Sequence, residues 1–105
     1  MKATLHKADF TKVIGTSYYG HTLISTVNKI AEAIGEPHSG ESGDGKTSVE
    51  WRFVTDKYVP FTIYDWKEYG KPASENRDVE YAFHIGVENG YDGDEVLAIL
   101  KSYGL

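Results

Sequence analysis

The chain of 105 residues contains no cysteine. This absence excludes disulfide bridges, metal sites built from thiolates and cysteine nucleophiles. Its four histidines, His6, His21, His38 and His84, are not spaced two or four residues apart, as metal-binding pairs often are. The sequence therefore predicts neither a metal site nor a cofactor.

Long apolar runs are also missing. No segment approaches the roughly 20 apolar residues that a membrane-spanning helix needs, and no secretion signal is visible at the N-terminus. The net charge is −5, and nucleic-acid backbones repel a protein of that charge unless its cations cluster. We therefore expect a cytoplasmic protein that binds neither membranes nor nucleic acid.

Length and composition favour one globular unit. With 105 residues, 40% of them hydrophobic and 26% charged, the chain has ordinary globular values. A chain of this size buries roughly 60–70% of its unfolded surface, which is enough for one core. We predict a single domain over residues 1–105.

Strand patterns occupy the middle of the chain. From Ser48 to Trp66, apolar and polar residues alternate on both sides of a polar break at Thr55–Lys57, which predicts a β-hairpin. A third strand is predicted at Val79–Val87, where the alternation is nearly perfect. The face turned away from the core would carry Glu50, Arg52, Thr62, Tyr64, Trp66, Glu80, Ala82 and His84.

Two helices are predicted on either side of these strands. Apolar residues recur at helical spacing over Thr22–Ile34, with Thr22 as the N-cap and Gly35 as the stop. The preceding segment, Val13–His21, has the composition of a loop that enters the helix. Residues 1–11 predict an extended arm or a short edge strand.

The second helix follows the third strand. Asp92 would cap it, with Glu95 completing a capping-box-like pair, and Gly104 would end it. The resulting fold class is α+β. We expect a small antiparallel sheet of at least three strands, with an N-terminal and a C-terminal helix packed on one face.

One loop has the spelling of a phosphate-binding motif. Residues 40–47 match the pattern Gly-x-x-x-x-Gly-Lys-(Ser/Thr), but a functional loop of this kind follows a strand and opens a helix. Here a predicted helix precedes the loop and a predicted strand follows it. Glu41 and Asp44 would also repel phosphate, so we interpret residues 36–45 as a flexible connector.

Residues 89–95 resemble part of a calcium loop. A complete loop would spread its ligands over twelve residues after a helix, whereas a strand precedes this segment. Its acids are better explained as residues that cap the final helix and complement its dipole.

Several short blocks carry a family resemblance. They are Ile14–Ser17, Ile34–Pro37, Gly43–Trp51, Phe61–Lys67 and Phe83–Gly86. In this order they resemble the runs Gly-Thr, Phe-Gly-Glu-Pro, Gly-Asp-Gly, Glu-Trp, Thr-Ile-Tyr-(Asp/Asn)-(Trp/Tyr)-Lys and Trp-His-Ile-Gly-Gly of a widespread group of small, mostly uncharacterised bacteriophage accessory proteins. The resemblance covers residues 13–87. The chain differs at Phe83 and Val87, where the group carries tryptophan and a second glycine.

This resemblance implies a phage origin, and with it the cytoplasm of a host cell, but no particular activity. Our leading hypothesis is a non-enzymatic protein that binds and inhibits a host factor, for example in counter-defence. Aromatic residues inside a polar rim are typical of such interfaces. The predicted partner-binding residues are Tyr64, Trp66, His84 and Arg52.

Two alternatives remain open. An oligomeric protein, such as a homodimer, would bind or sequester a nucleotide-like molecule through Tyr18, Tyr19 and Lys46. A small hydrolase would need a general base, for which His84 is the best-placed histidine, and a nucleophile that the sequence does not identify. No catalytic residue is therefore assigned.

Overall fold

The computed structural model describes residues 4–40, 42–43 and 45–105, without the side chain of Phe10. The strands are β1 (Leu5–Lys7), β2 (Ser17–Ser25), β3 (Glu50–Thr55), β4 (Pro60–Tyr64) and β5 (Tyr81–Val87). The α-helices are α1 (Phe10–Val13), α2 (Val27–Ile34) and α3 (Asp92–Ser102), with a 3₁₀ turn at Ala73–Glu75. The strands form one antiparallel sheet in the order β1-β3-β4-β5-β2. The predicted α+β class with an antiparallel sheet is confirmed.

The predicted hairpin is β3 and β4. Its strands pair antiparallel, with Trp51 opposite Ile63 and Phe53 opposite Phe61. The chain reverses after Thr55, where the backbone N–H of Tyr58 donates to the Thr55 carbonyl. The prediction of strand β5 is also confirmed, since its residues alternate as expected.

The prediction of a loop over Val13–His21 is wrong for most of its length, because strand β2 begins at Ser17. This strand pairs with β5, and a bulge lies between Tyr18 and Thr22. Gly20 in the bulge has a φ of +97°, a conformation that side-chain-bearing residues rarely adopt. Tyrosine, threonine and isoleucine favour strands, and β5 supplies the hydrogen-bonding partner.

Helix α2 is shorter than predicted because β2 takes its first residues. Thr26, and not Thr22, caps the helix, and the Thr26 hydroxyl accepts from the Lys29 backbone N–H. Leu23 lies in β2 and its side chain is buried there. Its four-residue spacing to Val27 matches a helix, although Leu23 is not part of one. The predicted end at Gly35 is confirmed.

Helix α3 occupies the predicted segment, but its predicted capping box is wrong. Tyr91 is the N-cap residue and makes no side-chain capping bond, while Asp92 is the first helical residue. Asp92, Asp94 and Glu95 therefore lie in the first turn, where negative charge complements the helix dipole.

The short edge strand predicted within residues 1–11 is confirmed by β1, whereas helix α1 was not predicted. Residues 1–3 of the predicted arm lie outside the described part, whereas β1 is an edge strand paired with β3. Helix α1 follows, with the Asp9 carboxylate accepting from the Lys12 backbone N–H, and it lies against β3 and β4.

One hydrophobic cluster forms the main core. It joins inward-facing residues of the strands to buried residues of α2 and α3. Those fully enclosed include Val27, Ile30, Trp51, Phe61, Ile63, Phe83, Ile85, Val87, Val96 and Leu100. Whether both helices occupy the same face stays a prediction. Within the described ranges, no helix has the length and apolar character required to cross a bilayer.

Candidate functional site

A row of side chains crosses the outer face of the sheet. Strand register aligns Glu50 with Tyr64, Tyr64 with His84, and His84 with Thr22. Because neighbouring strands present paired residues to the same face, these side chains all point away from the core. The next residue along β3, Trp51, is fully buried on the other face.

Four rings of this face form what we call the outer aromatic cluster: Tyr18, Tyr64, Trp66 and His84. The His84 ring stacks on Tyr18, with ring centroids 3.8 Å apart and an interplanar angle of 11°. Trp66 also stacks on His84, at 5.9 Å, and Tyr64 meets His84 edge-on at 5.5 Å. Tyr18 and Trp66 remain 42% and 38% exposed, so the cluster presents aromatic surface to solvent.

Two rings of the cluster, His84 and Tyr64, have pKa values shifted towards their uncharged forms. Burial lowers the pKa of His84, and burial together with the Glu50 charge and Tyr18 raises the pKa of Tyr64. Positive charge lies at the rim instead. The Nζ atoms of Lys46 and Lys67 lie 5.9 and 5.5 Å from the Trp66 ring centroid, within the range of cation–π attraction.

A cavity of about 410 Å³ adjoins the cluster. It lies between the turn after α1 and the outer side of β3 and β4. Its lining residues are Val13, Ile14, Gly15, Thr16, Thr47, Glu50, Thr62, Tyr64 and Trp66.

Gly86 is a close neighbour of the cavity wall. A Cβ atom at this position would lie 2.4 Å from the Thr62 hydroxyl and 3.5 Å from both Thr16 Oγ1 and the Tyr64 ring. Glycine therefore allows β4, β5 and the Thr16 turn to approach closely. This explains the His-Ile-Gly end of β5 in terms of packing.

A buried carboxyl group, that of Asp65, holds the main chain next to Trp66 of the outer aromatic cluster. Asp65 is 2% exposed, and its side chain accepts from the backbone N–H groups of Ser48, Val49 and Ala73. The Ser48 hydroxyl also donates to it, and in turn accepts from the Ser74 N–H. These bonds join the end of β4, the segment before β3 and the 3₁₀ turn. Since Trp66 is the next residue, they set where its indole leaves the sheet.

The structure brings Tyr64, Trp66 and His84 of the predicted partner-binding set together. Arg52 lies beside them, with its Nε donating to the Glu50 carboxylate. Both side chains of that ion pair are mostly buried. Arg52 therefore shapes the face more than it presents a charge to a partner.

The predicted ligand-binding set is divided. Tyr18 joins the cluster and Lys46 lies over Trp66, but Tyr19 does not reach them. Its hydroxyl donates to the Glu88 carbonyl and its ring lies beside Gly90. Sequence reasoning placed Thr62 on this face but missed Thr16 and Gly86 as neighbours of the site. A strand assignment for Tyr18–Thr22 would have placed Tyr18 in the sheet, but its position beside His84 depends on the register and bulge of β2 against β5.

The loop with phosphate-motif spelling forms a closed turn, although Glu41 and Asp44 lie outside the described residues. The N–H of Ser42 donates to the Thr47 carbonyl, that of Gly45 to the Ser42 carbonyl, and that of Thr47 to the Ser42 hydroxyl. These donors are used within the loop, and β3 follows it instead of a helix. The connector interpretation fits this geometry.

Among the residues that the structure describes, no group of three or more His, Asp or Glu side chains is placed to hold a metal ion. No family model, curated protein or solved structure is significantly similar to the chain.

Two histidines should make the stability of the fold sensitive to acid. Burial lowers the pKa of His84, and burial with the charges of Lys7 and Arg52 lowers that of His38, whose Nδ1 accepts from the Arg52 N–H. In the unfolded chain both titrate near pH 6.5, so it binds more protons than the folded chain just below that pH. Their contribution is complete above pH ~6.5 and is lost as pH falls through the lowered values.

Urea unfolding at several pH values between 7.5 and 5 would measure this loss. In a variant with both His38→Gln and His84→Gln, the free energy of unfolding should fall less over this interval than in the wild-type chain. Equal slopes for the two proteins would contradict the prediction. A Tyr58→Ala variant is the control, because Tyr58 is exposed and its substitution changes no histidine.

Proposed function

We propose that the chain is a non-enzymatic phage accessory protein that binds and inhibits a host factor, for example in counter-defence. The outer aromatic cluster is its binding surface. The observation that carries this proposal is the exposure of the stacked rings of Tyr18 and Trp66 on the outer face of the sheet. Tyrosine and tryptophan in such settings are enriched at protein interfaces and at their energetic hot spots. The action takes place in the host cytoplasm.

The placement of the helices supports an interface on this face. We propose that α2 and α3 both cover the inner face, as the sequence predicts. Their buried residues Val27, Ile30, Val96 and Leu100 belong to the same cluster as the inward-facing strand residues. Among the described residues, the short segment around α1 lies against β3 and β4, and the aromatic cluster lies beside that segment.

A rim of charge surrounds the rings. Lys46 and Lys67 lie at Trp66, and the Arg52–Glu50 pair lies along β3. Polar rims exclude water from a central aromatic contact and set the orientation of a partner. The rings supply most of the affinity in this arrangement, so truncating Trp66 should matter more than truncating a rim lysine.

Affinity capture from host cells would test the proposal. The tagged wild-type chain should recover one host protein in stoichiometric amount, and Trp66→Ala should weaken binding of that protein by about 30-fold, or about 2 kcal/mol. Tyr58→Ala is the matched control, because Tyr58 is 87% exposed and lies at the opposite end of the hairpin. It should bind as the wild type does.

Two results would overturn the proposal. One is the absence of any stoichiometric host protein. The other is recovery of the same protein by Trp66→Ala with unchanged affinity, which would place the interface elsewhere on the chain. A hydrolytic activity that disappears in His84→Ala would replace the proposal with the enzyme alternative.

A further inference from the structure

The cavity beside the outer aromatic cluster has the size of a small-molecule site. Its volume of about 410 Å³ lies within the usual range for ligand pockets, roughly 300–1,000 Å³. Residues from the turn after α1, the segment before β3, and strands β3 and β4 converge on it. The site is open to solvent on one side, and its walls come from separate elements of the chain.

The wall chemistry suits a planar ligand with hydrogen-bonding edges. Tyr64 and Trp66 supply aromatic surface that a flat molecule can contact. Thr16, Thr47 and Thr62 add hydroxyl groups, each of which can donate and accept. The Glu50 carboxylate, which also lines the cavity, accepts from amino or ring N–H groups.

Two lysines lie beside Trp66 at the edge of the cavity, whereas the charged residue among its lining residues is Glu50. Lys46 and Lys67 both lie over the indole, and the Lys67 backbone N–H donates to the Lys46 carbonyl at 2.7 Å. This bond joins the main chains of the two residues. An ammonium group there favours an anionic group on the ligand, whereas a neutral or cationic ligand gains nothing from it.

We infer that this cavity binds a nucleotide, with the base against Tyr64 and Trp66 and the phosphate towards Lys46 and Lys67. A nucleotide combines a flat heteroaromatic ring, N–H and carbonyl edges, and a negative charge, which are the features that the walls match. The inference concerns a small molecule and goes beyond the proposed host protein. It also differs from a pocket built on Tyr19, which lies away from the cavity.

Tryptophan fluorescence provides a direct test. The chain has two tryptophans, of which Trp51 is fully buried, so a ligand that stacks at the cavity should quench Trp66 alone. AMP, GMP, CMP and UMP are the probes, with adenosine and ribose 5-phosphate as fragments. At least one nucleotide should give saturable quenching, with an affinity about tenfold or more above those of both fragments.

Variants of the cavity wall separate this site from adventitious quenching. Thr47→Val keeps the side-chain shape and removes a hydroxyl, while the loop bonds of Thr47 come from its backbone. Combined with Lys67→Ala, it should weaken the best nucleotide by about tenfold or more, at an unchanged urea midpoint. Tyr58→Ala should bind like the wild type.

The inference fails if no mononucleotide gives saturable quenching, or if the double variant binds as tightly as the wild type. Binding of a single-stranded RNA oligonucleotide in the absence of mononucleotide binding would also overturn it. None of these results bears on the capture of a host protein, because that experiment measures a different partner.

Discussion

Asp65→Ala is expected to lower the free energy of unfolding by about 3–5 kcal/mol. The substitution removes the acceptor of three backbone N–H groups, those of Ser48, Val49 and Ala73, in a site that is 2% exposed. Each buried donor left without a partner costs about 1–3 kcal/mol. Small domains have total stabilities of only about 5–15 kcal/mol, so the loss would be a large share.

Urea unfolding followed by circular dichroism would measure this change. Asp65→Asn is an informative second variant, because it keeps the shape but turns one acceptor oxygen into a donor. It should also destabilise the fold, whereas Glu80→Ala, at an exposed position, should change stability by less than about 0.5 kcal/mol. If Asp65→Ala matched Glu80→Ala, the assigned role of the carboxylate would be wrong.

Substitution of Asp65 should also change the position of Trp66 in the candidate site. Asp65 fixes the chain immediately before Trp66, and its bonds also hold the segment that leads from Lys46 to β3. In Asp65→Asn protein that remains folded, we expect the accessible indole to shift its emission. An unchanged Trp66 spectrum would mean that the indole is positioned without the buried carboxylate.

Trp51→Ala is expected to cost about 3–5 kcal/mol, the usual range for removing a fully buried tryptophan. Trp51 is 0% exposed and meets Phe83 edge-to-face at 6.0 Å. Its indole N–H donates to the Gly35 carbonyl at 2.8 Å, which joins the end of α2 to the centre of the sheet. The substitution opens a cavity and breaks this connection together.

Trp51→Phe separates the two contributions. It keeps a ring in the core and removes the hydrogen bond, so a loss of about 1–2 kcal/mol is expected. Thermal or urea unfolding followed by circular dichroism is the measurement, since the substitutions change the intrinsic fluorescence. Equal losses for the Ala and Phe variants would mean that the bond to Gly35 dominates, contrary to this assignment.

The central strands could be predicted because their signal is local. Buried and outward residues alternate in β3 and β5, and a sheet with one enclosed face produces this pattern directly. The long C-terminal helix was also visible from its apolar spacing. Its cap was predicted incorrectly because the structure starts α3 at Asp92 with no side-chain capping bond at Tyr91, which a capping motif cannot reveal.

Strand β2 was missed because its apolar residues, taken together with those of α2, follow the spacing of one continuous helix. Leu23, Val27 and Ile30 have helical spacing and are all buried. However, Leu23 belongs to a strand of the sheet, whereas Val27 and Ile30 belong to α2. The change occurs at Thr26, whose capping bond starts the helix. The residues before Thr26 form a strand because they pair with β5, which lies more than fifty residues later in the chain.

The candidate site was predicted in part for the same reason. Tyr64, Trp66 and His84 follow from alternation within two strands, which places them on the outward side. The stacking of Tyr18 on His84 depends on the register of β2 against β5 and on the bulge between Tyr18 and Thr22. No local pattern specifies a register between distant segments.

The sequence by itself determined the α+β class, the strands of the hairpin, β5, the final helix and the outward orientation of three aromatic side chains. These features depend on the periodicity of apolar residues, which is a local pattern among neighbouring residues. Only the tertiary structure decided that β2 closes one edge of the sheet, that Gly86 lets Thr62 and Thr16 approach, and that four rings meet beside a cavity. Those features depend on contacts between distant segments, whose geometry the whole fold sets.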